Sequence, residues 1–308
     1  MHIRIGTRSS RLAVWQAEYI QELLRRGNVS SELIFIETKG DVVLDRSLSK
    51  IGSKGVFTQE LEDQLHEGRI DIAVHSAKDL PSTLPPGLEI IAFTERETPN
   101  DVLVSRNKNL SLRSGEPFRI GTSSTRRVAM LRHYCPHITT VDMRGNLQTR
   151  IRKLDEGQCD ALLLAYAGVH RMEYDDLIVE HLPIDQFIPA VGQGSVAIEV
   201  ATSLAKPLRQ TITKLINHVP TAACLQAERA FLARLEGGCS IPSFALAHWT
   251  DERTISLTGG LVSLDGSELI RETVSGTSEE ATHLGRTLAG SILELGGNAI
   301  LQTIREQL

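Results

Sequence analysis

Apolar residues along the chain recur in two rhythms, one of period two and one close to 3.6. The opening "HIRI" alternates and predicts a strand. Ser9 or Ser10 can then cap a helix on which Leu12, Trp15, Tyr19 and Leu23 share a face, and Gly27 ends it. "SELIFIET" predicts a strand, "FTQELEDQLHEG" a helix, "RIDIAVH" a strand and "LEIIAF" another. Between the first two lies "KGDVVLDRSLSKIGSKG" (Lys39–Gly55), with weak periodicity and three glycines. It predicts a long loop, a candidate lid. "TERETPND" has the composition of a crossover linker.

The second half repeats this grammar. "RIGTSST" runs into the helix "TRRVAMLRHYC", as "RIGTRSS" ran into the first helix. "HITTVDM", the helix "LQTRIRKLDEG", the strand "CDALLLA" and the helix "AYAGVHRM" follow. Glu67-Gly68-x-x-Asp71 ends one helix and opens a strand, and Glu156-Gly157-x-x-Asp160 does the same. Two short motifs in the same order in both halves predict duplicated α/β lobes with mostly parallel strands. "FIPAVGQGSVAIEV" (Phe187–Val200) is a strand-like segment able to return the chain to the first lobe. Beyond it come a helix over Pro220–Leu235, three strands with an Asp265-Gly266 hairpin, and a Thr277–Glu280 capping box before a helix ending near Leu295. The expected domains are residues 1–96 with 187–212, residues 97–186, and a small α+β unit over 213–308.

Charge sharpens this picture. The net charge of −5 argues against a general nucleic-acid binder. Residues 1–154 nevertheless hold 23 Lys+Arg against 18 Asp+Glu, and the rest hold 10 against 20. Arg outnumbers Lys 25 to 8, and Arg suits bidentate grip on carboxylate or phosphate. No apolar run approaches a membrane span, and the chain begins directly with a strand. The four cysteines show neither zinc spacing nor C-x-x-C pairing, which predicts reduced thiols in a cytoplasmic protein and no metal.

Ligands of open α/β sheets lie beyond the carboxyl ends of strands, where helix N-termini favour anions. Both RIGT segments end there, with Ser/Thr hydroxyls and with Arg8, Arg126 and Arg127 close by. Lys54, Lys78, Arg144 and Arg150 add further charge. In the plainer alternative the hydroxyls only cap helices and the arginines are solvated. In "HSAKDLPS", Asp79 is either a turn residue held by Lys78 or an ionised carboxylate in a cationic cleft, suited to stabilising a cationic intermediate. Cys239, between Gly237-Gly238 and Pro242, is a nucleophile, an attachment point or a loop thiol of no consequence.

"GTRSSRLAVWQ", "GSKGVFTQELE", "DIAVHSAKDLP", "GTSSTRR", "RGNLQTR", "PAVGQG" and "ERAFLARLEGGCS", in this order, span essentially the whole chain. On these motifs the chain resembles the hydroxymethylbilane synthase (porphobilinogen deaminase) family. The resemblance implies two periplasmic-binding-protein-like lobes with mostly parallel mixed sheets plus a small C-terminal α+β domain. It implies a dipyrromethane cofactor joined by a thioether to Cys239. It implies a transferase that adds four porphobilinogens in turn, each losing ammonia, and releases hydroxymethylbilane by hydrolysis, in tetrapyrrole biosynthesis. Asp79 would be the catalytic carboxylate, stabilising the azafulvene cation left when ammonia departs. Arg8, Ser10, Lys54, Ser76, Lys78, Thr122, Ser124, Arg126, Arg127, Arg144 and Arg150 would bind cofactor and substrate carboxylates, joined by Gln16 and Arg171. The expected state is a cytoplasmic monomer with neither nucleic acid nor membrane as partner. Asn100 and Arg11 depart from the family pattern, which has Arg and Pro there, and put peripheral contacts in doubt. Physics alone also allows a two-lobed anion-binding module without catalysis, and, further off, a cysteine hydrolase.

Overall fold

The computed structural model describes residues 1–38, 58–236 and 240–307. Lys54, Cys239 and the loop predicted over Lys39–Gly55 lie outside the described residues. The first lobe is built from β1 (His2–Thr7), α1 (Arg11–Arg26), β2 (Ser30–Phe35), α2 (Gln59–His66), β3 (Ile72–Ser76) and β4 (Leu88–Phe93). The second holds β5 (Asp101–Val104), β6 (Arg119–Gly121), α3 (Thr125–Tyr134), β7 (Thr139–Val141), α4 (Leu147–Asp155), β8 (Ala161–Ala165), α5 (Tyr166–Arg171) and β9 (Ile178–His181). The chain then returns through β10 (Val196–Ala201) and α6 (Lys206–Ile216).

Among the described residues each lobe has a five-stranded sheet, ordered β2-β1-β3-β10-β4 and β7-β6-β8-β5-β9. Strands β2, β1 and β3 are parallel, as are β7, β6 and β8. One strand in each sheet runs against both neighbours, β10 in the first and β5 in the second. In both cases it is the strand by which the chain arrives from the other lobe. The expected mostly parallel, mixed sheets are therefore present. Ile3, Ile5, Ile72, Val74 and Ile198 form one core with α1 and α6, while Leu61 and Leu65 of α2 cover Ala73 on the opposite face.

The two sequence echoes make one structural unit, used twice. Arg4 of β1 receives Asp71 in a fork: the backbone N–H, Nε and Nη2 donate to its carboxylate at 2.8, 3.1 and 2.7 Å. Arg119 of β6 holds Asp160 the same way, at 2.8, 3.2 and 3.0 Å. The glycine three residues before each aspartate turns the chain with φ +65° at Gly68 and +75° at Gly157, a conformation L side chains rarely adopt. Each fork ties the start of a strand to the loop entering its parallel neighbour.

The third unit contains α7 (Val219–Arg234), a meander of β11 (Ser243–Trp249), β12 (Thr254–Val262) and β13 (Leu269–Thr277), then α8 (Ala281–Ile292) and α9 (Asn298–Gln307). Helices α7 and α8 cover one sheet face through Phe231, Leu257 and Leu288. From the other face Phe244 and Val262 enter the core of the second lobe beside Met130 and Phe187. Beyond Ile292 helix α8 widens into a π-turn over Leu293–Gly297, where Gly296 with φ +114° breaks the helical backbone just after the expected end near Leu295 and leads into α9. The Thr277 hydroxyl donates to Glu280 at 2.9 Å, but a 3-10 turn separates this pair from α8. A buried ion pair joins both crossing segments to the third unit. Arg96, in the first crossing segment, forks onto Glu228 of α7 at 2.7 Å through both Nη atoms. Glu228 also accepts the N–H of Gly192, in the second crossing, at 3.0 Å and that of Ala247 at 2.8 Å.

Candidate active site

Asp79 ends a single 3-10 turn, Ala77–Asp79, that follows β3 directly. It is exposed and opens onto a small cavity of about 70 Å³ lined also by Arg8, Ser10, Gln16, Thr58, His75 and Ser76. The fold therefore brings Arg8, Ser10, Gln16, Ser76 and Asp79 together at the carboxyl ends of β1 and β3. The buried Gln16 amide donates to Ser76 Oγ at 2.8 Å, locking α1 to the end of β3. Ser10 caps α1, its Oγ accepting from Ala13 N at 3.4 Å.

The facing wall comes from the second lobe. Ser124 caps α3 by accepting from Arg127 N at 3.4 Å, and Thr122 Oγ1 accepts from Ser124 N at 3.3 Å. Arg126 and Arg127, both 5% exposed, share Asp101, at 2.8 and 2.7 Å. They are not the solvated arginines of the plainer alternative. Burial opposes ionisation of Asp101, but the two guanidiniums and the Arg127 and Gln193 hydrogen bonds hold its carboxyl far below the usual range. Arg150 donates from Nε to Gly145 O at 2.8 Å. Burial first, then Arg127, push its pKa down to about 10, with Asp79 and Asp142 acting upward. Burial first, then Arg127, likewise push Lys78 from 10.5 to about 8, against Asp79 and Asp101. Asp79 of one lobe thus lies within electrostatic reach of Arg150 of the other, and Lys78 within reach of Arg126 and Arg127. Arg144 stands nearby, with a buried Nη1 that has no hydrogen-bond partner among the described residues.

Arg171 is placed differently. Its Nη2 donates to Gly194 O at 2.7 Å and its guanidinium lies 5.1 Å from the centre of the Trp15 ring. It braces α1 and the returning segment against α5. Sequence reasoning missed Asp101, which organises Arg126 and Arg127, although its position at the start of an apolar strand was visible. It also missed Gln193, inside the quoted "PAVGQG", whose amide reaches Pro99 O at 2.6 Å and Asp101 at 2.9 Å. It missed His75, buried 3.0 Å from the buried Glu199.

Comparison with known proteins bears on this cleft. Residues 3–207 match the family model described as porphobilinogen deaminase, dipyromethane cofactor binding domain, and residues 222–294 match the porphobilinogen deaminase C-terminal domain. The chain belongs to the porphobilinogen deaminase family. The porphobilinogen deaminase of Desulfosudis oleivorans is 54% identical over 308 residues, covering 100% of this chain and 99% of that one. That of Cytophaga hutchinsonii is 54% identical over 306 residues, covering 99% and 98%. Among solved structures, lipoprotein Tp32 from Treponema pallidum aligns with 70% of this chain and 90% of its own, with a TM-score of 0.44 and 12% identity.

The cleft suits the polycarboxylate that this family binds as its cofactor. Lys78 and Arg150 are held below their ordinary pKa by burial and by other cations, a conflict that added carboxylates relieve. The partnerless Arg144 Nη1 is a donor already in place for such a group.

Proposed function

We propose that this protein joins porphobilinogen units head to tail with loss of ammonia and releases hydroxymethylbilane, using Asp79 as its catalytic carboxylate. The observation that supports this most is the setting of Asp79: one exposed carboxylate on a rigid turn, facing cations drawn from both lobes. Each porphobilinogen carries an acetate and a propionate, so a growing chain multiplies the carboxylates that the cleft must hold. Arg8, Lys78, Arg144 and Arg150 take those groups, with hydroxyls from Ser10, Ser76, Thr122 and Ser124 and the Gln16 amide as neutral donors. Arg126 and Arg127 belong to the same set: Asp101 takes one Nη of each, and the Nε of each is buried with no hydrogen-bond partner among the described residues. Lys54 belongs to the same set by motif, and Arg171 holds the lobes in register.

Dipyrromethane, tethered at Cys239, supplies the pyrrole carbon at which extension starts. Asp79 accepts pyrrole N–H groups and balances the positive charge that develops on the substrate when ammonia leaves. The departing ammonia and the proton lost from the coupled ring carbon balance as ammonium. A fixed carboxylate opposite a developing cation requires no reorganisation at the moment of reaction. The proposal includes a cytoplasmic monomer. In its favour, Cys135, Cys159 and Cys224 are buried free thiols, and no described helix is long and apolar enough to cross a membrane.

Ammonia release and hydroxymethylbilane formation from porphobilinogen test the reading directly. Asp79→Ala should lower turnover by at least about 10²–10³-fold with an unchanged circular dichroism spectrum. The intact mass should exceed that of the sequence by two linked pyrrole units, and Cys239→Ala should abolish that increment. Near-normal turnover in Asp79→Ala would remove the aspartate from the mechanism.

A further inference from the structure

A second groove lies between the first lobe and the third unit, away from the catalytic cavity. Edge strand β4, the segment around Ser82–Leu84, and helices α7 and α8 wall it, and it encloses ≈ 1510 Å³ open to solvent. Its floor is apolar, with Leu84, Leu88, Ile90, Phe93, Ala222 and Ala233. Arg229, Arg234 and Arg286 stand around it. Glu89 is the one carboxylate among the described lining residues, and Arg209 already pairs with it. Arg234 and Arg286 are exposed, and neither has an ion pair or side-chain hydrogen bond among the described residues. Arg229 donates from Nη2 to Pro81 O at 2.9 Å, while its buried Nη1 has no hydrogen-bond partner there and Glu199 attracts its charge from a distance.

An edge strand invites another strand, but this one is closed to it. The Thr213 hydroxyl donates to Ile91 O at 3.3 Å, and the N–H of Phe93 donates to Asn217 Oδ1 at 3.0 Å. The carbonyl of Phe93 accepts from His218 N at 2.7 Å. With these groups occupied, the groove offers side-chain chemistry alone.

We propose that the groove binds a small amphipathic anion, a flat apolar body carrying two or more carboxylate or sulfonate groups. The apolar floor takes the body, and guanidiniums left without carboxylates take its charged ends as forks. The site also reaches the catalytic turn, because Arg229 holds the carbonyl of Pro81, two residues beyond Asp79.

The test uses bis-ANS, an apolar dye with two sulfonates, titrated by fluorescence into the cofactor-loaded protein. Saturable binding at one site is expected, weakening with salt. Arg234→Glu with Arg286→Glu should weaken it at least threefold, with basal turnover unchanged because both residues stand outside the catalytic cleft. Ala233→Trp, which fills the groove, should weaken it at least as much. A loss under threefold in the double arginine variant, or in Ala233→Trp, overturns the proposal. This readout is binding, so its failure leaves the deaminase reading standing, and failure of that reading leaves the groove testable.

Discussion

Lys78 gives the most direct test of how the cleft manages charge. Its ammonium is half-buried beside Arg127, and burial first, then that guanidinium, push its pKa from 10.5 to about 8. The displacement corresponds to ~3 kcal/mol of conflict between the charge and its surroundings, at ~1.4 kcal/mol per tenfold. The folded protein holds this proton less tightly than the unfolded chain does. Charged Lys78 therefore lowers stability below pH 8, and that cost fades as the pH rises from about 8 to 10.5. Bound carboxylates reverse the conflict and return the lysine toward its ordinary pKa, so binding takes up a proton. Above about pH 8, kcat/KM for porphobilinogen should then fall by up to about tenfold per pH step as Lys78 loses its charge. Ammonia release measured between about pH 6.5 and 9.5 should show this basic limb in the wild type. Lys78→Arg keeps its charge throughout and should lose the limb, whereas Lys78→Gln should be slow at every pH. A basic limb unchanged in Lys78→Arg refutes the reasoning.

Three further outcomes are expected. Asp101→Ala leaves Arg126 and Arg127 buried without their carboxylate and should cost about 3–5 kcal/mol in urea unfolding. Asp71→Asn should cost about 1–2 kcal/mol, and Asp160→Asn less, because the Asp71 carboxylate is 17% exposed and that of Asp160 is 38%. Arg4 holds the Asp71 carboxyl below 3.8, against burial, so its contribution is full above that value and is lost as the pH falls through the folded pKa. Thermal unfolding in acid should therefore converge for wild type and Asp71→Asn. Ser124→Ala removes the α3 cap and should lower stability by about 1 kcal/mol in the same assay.

The lobes were legible because their periodicity is local. Leu12, Trp15, Tyr19 and Leu23 could be read as a helix face without any knowledge of what lies against it. Strands β5 and β9 and helices α6 and α9 were not read, since "DVLV" and "IVEH" are four residues long and gain their identity from pairing with distant strands. Of the candidate site, Arg8 and Asp79 were visible as charges at strand ends. The division of labour among the arginines was not. Asp101 orients Arg126 and Arg127 by taking one Nη of each, and Gly194 and Trp15 place Arg171. Such assignments depend on three-dimensional neighbours separated by many residues, which no local pattern encodes. The RIGT repeat also opens on Arg4 and Arg119, which were given no role from sequence, and the structure uses both as internal struts to Asp71 and Asp160.

The two reversed strands carry a consequence for how the molecule is made. Among the described residues β4 pairs only with β10, and β10 is synthesised more than a hundred residues later. Until residue 201 has left the ribosome, β3 presents an open edge and β4 has no ladder to join. The second sheet has no such debt, because β5 to β9 are contiguous in the chain. The later-made lobe can thus close first, and the earlier one, which carries Asp79, is completed by the segment that returns from it. Loop closure over that separation slows the step and leaves a pairing edge exposed meanwhile. Nascent chains stalled before β10 should accordingly be protease-sensitive in the first lobe and protected in the second.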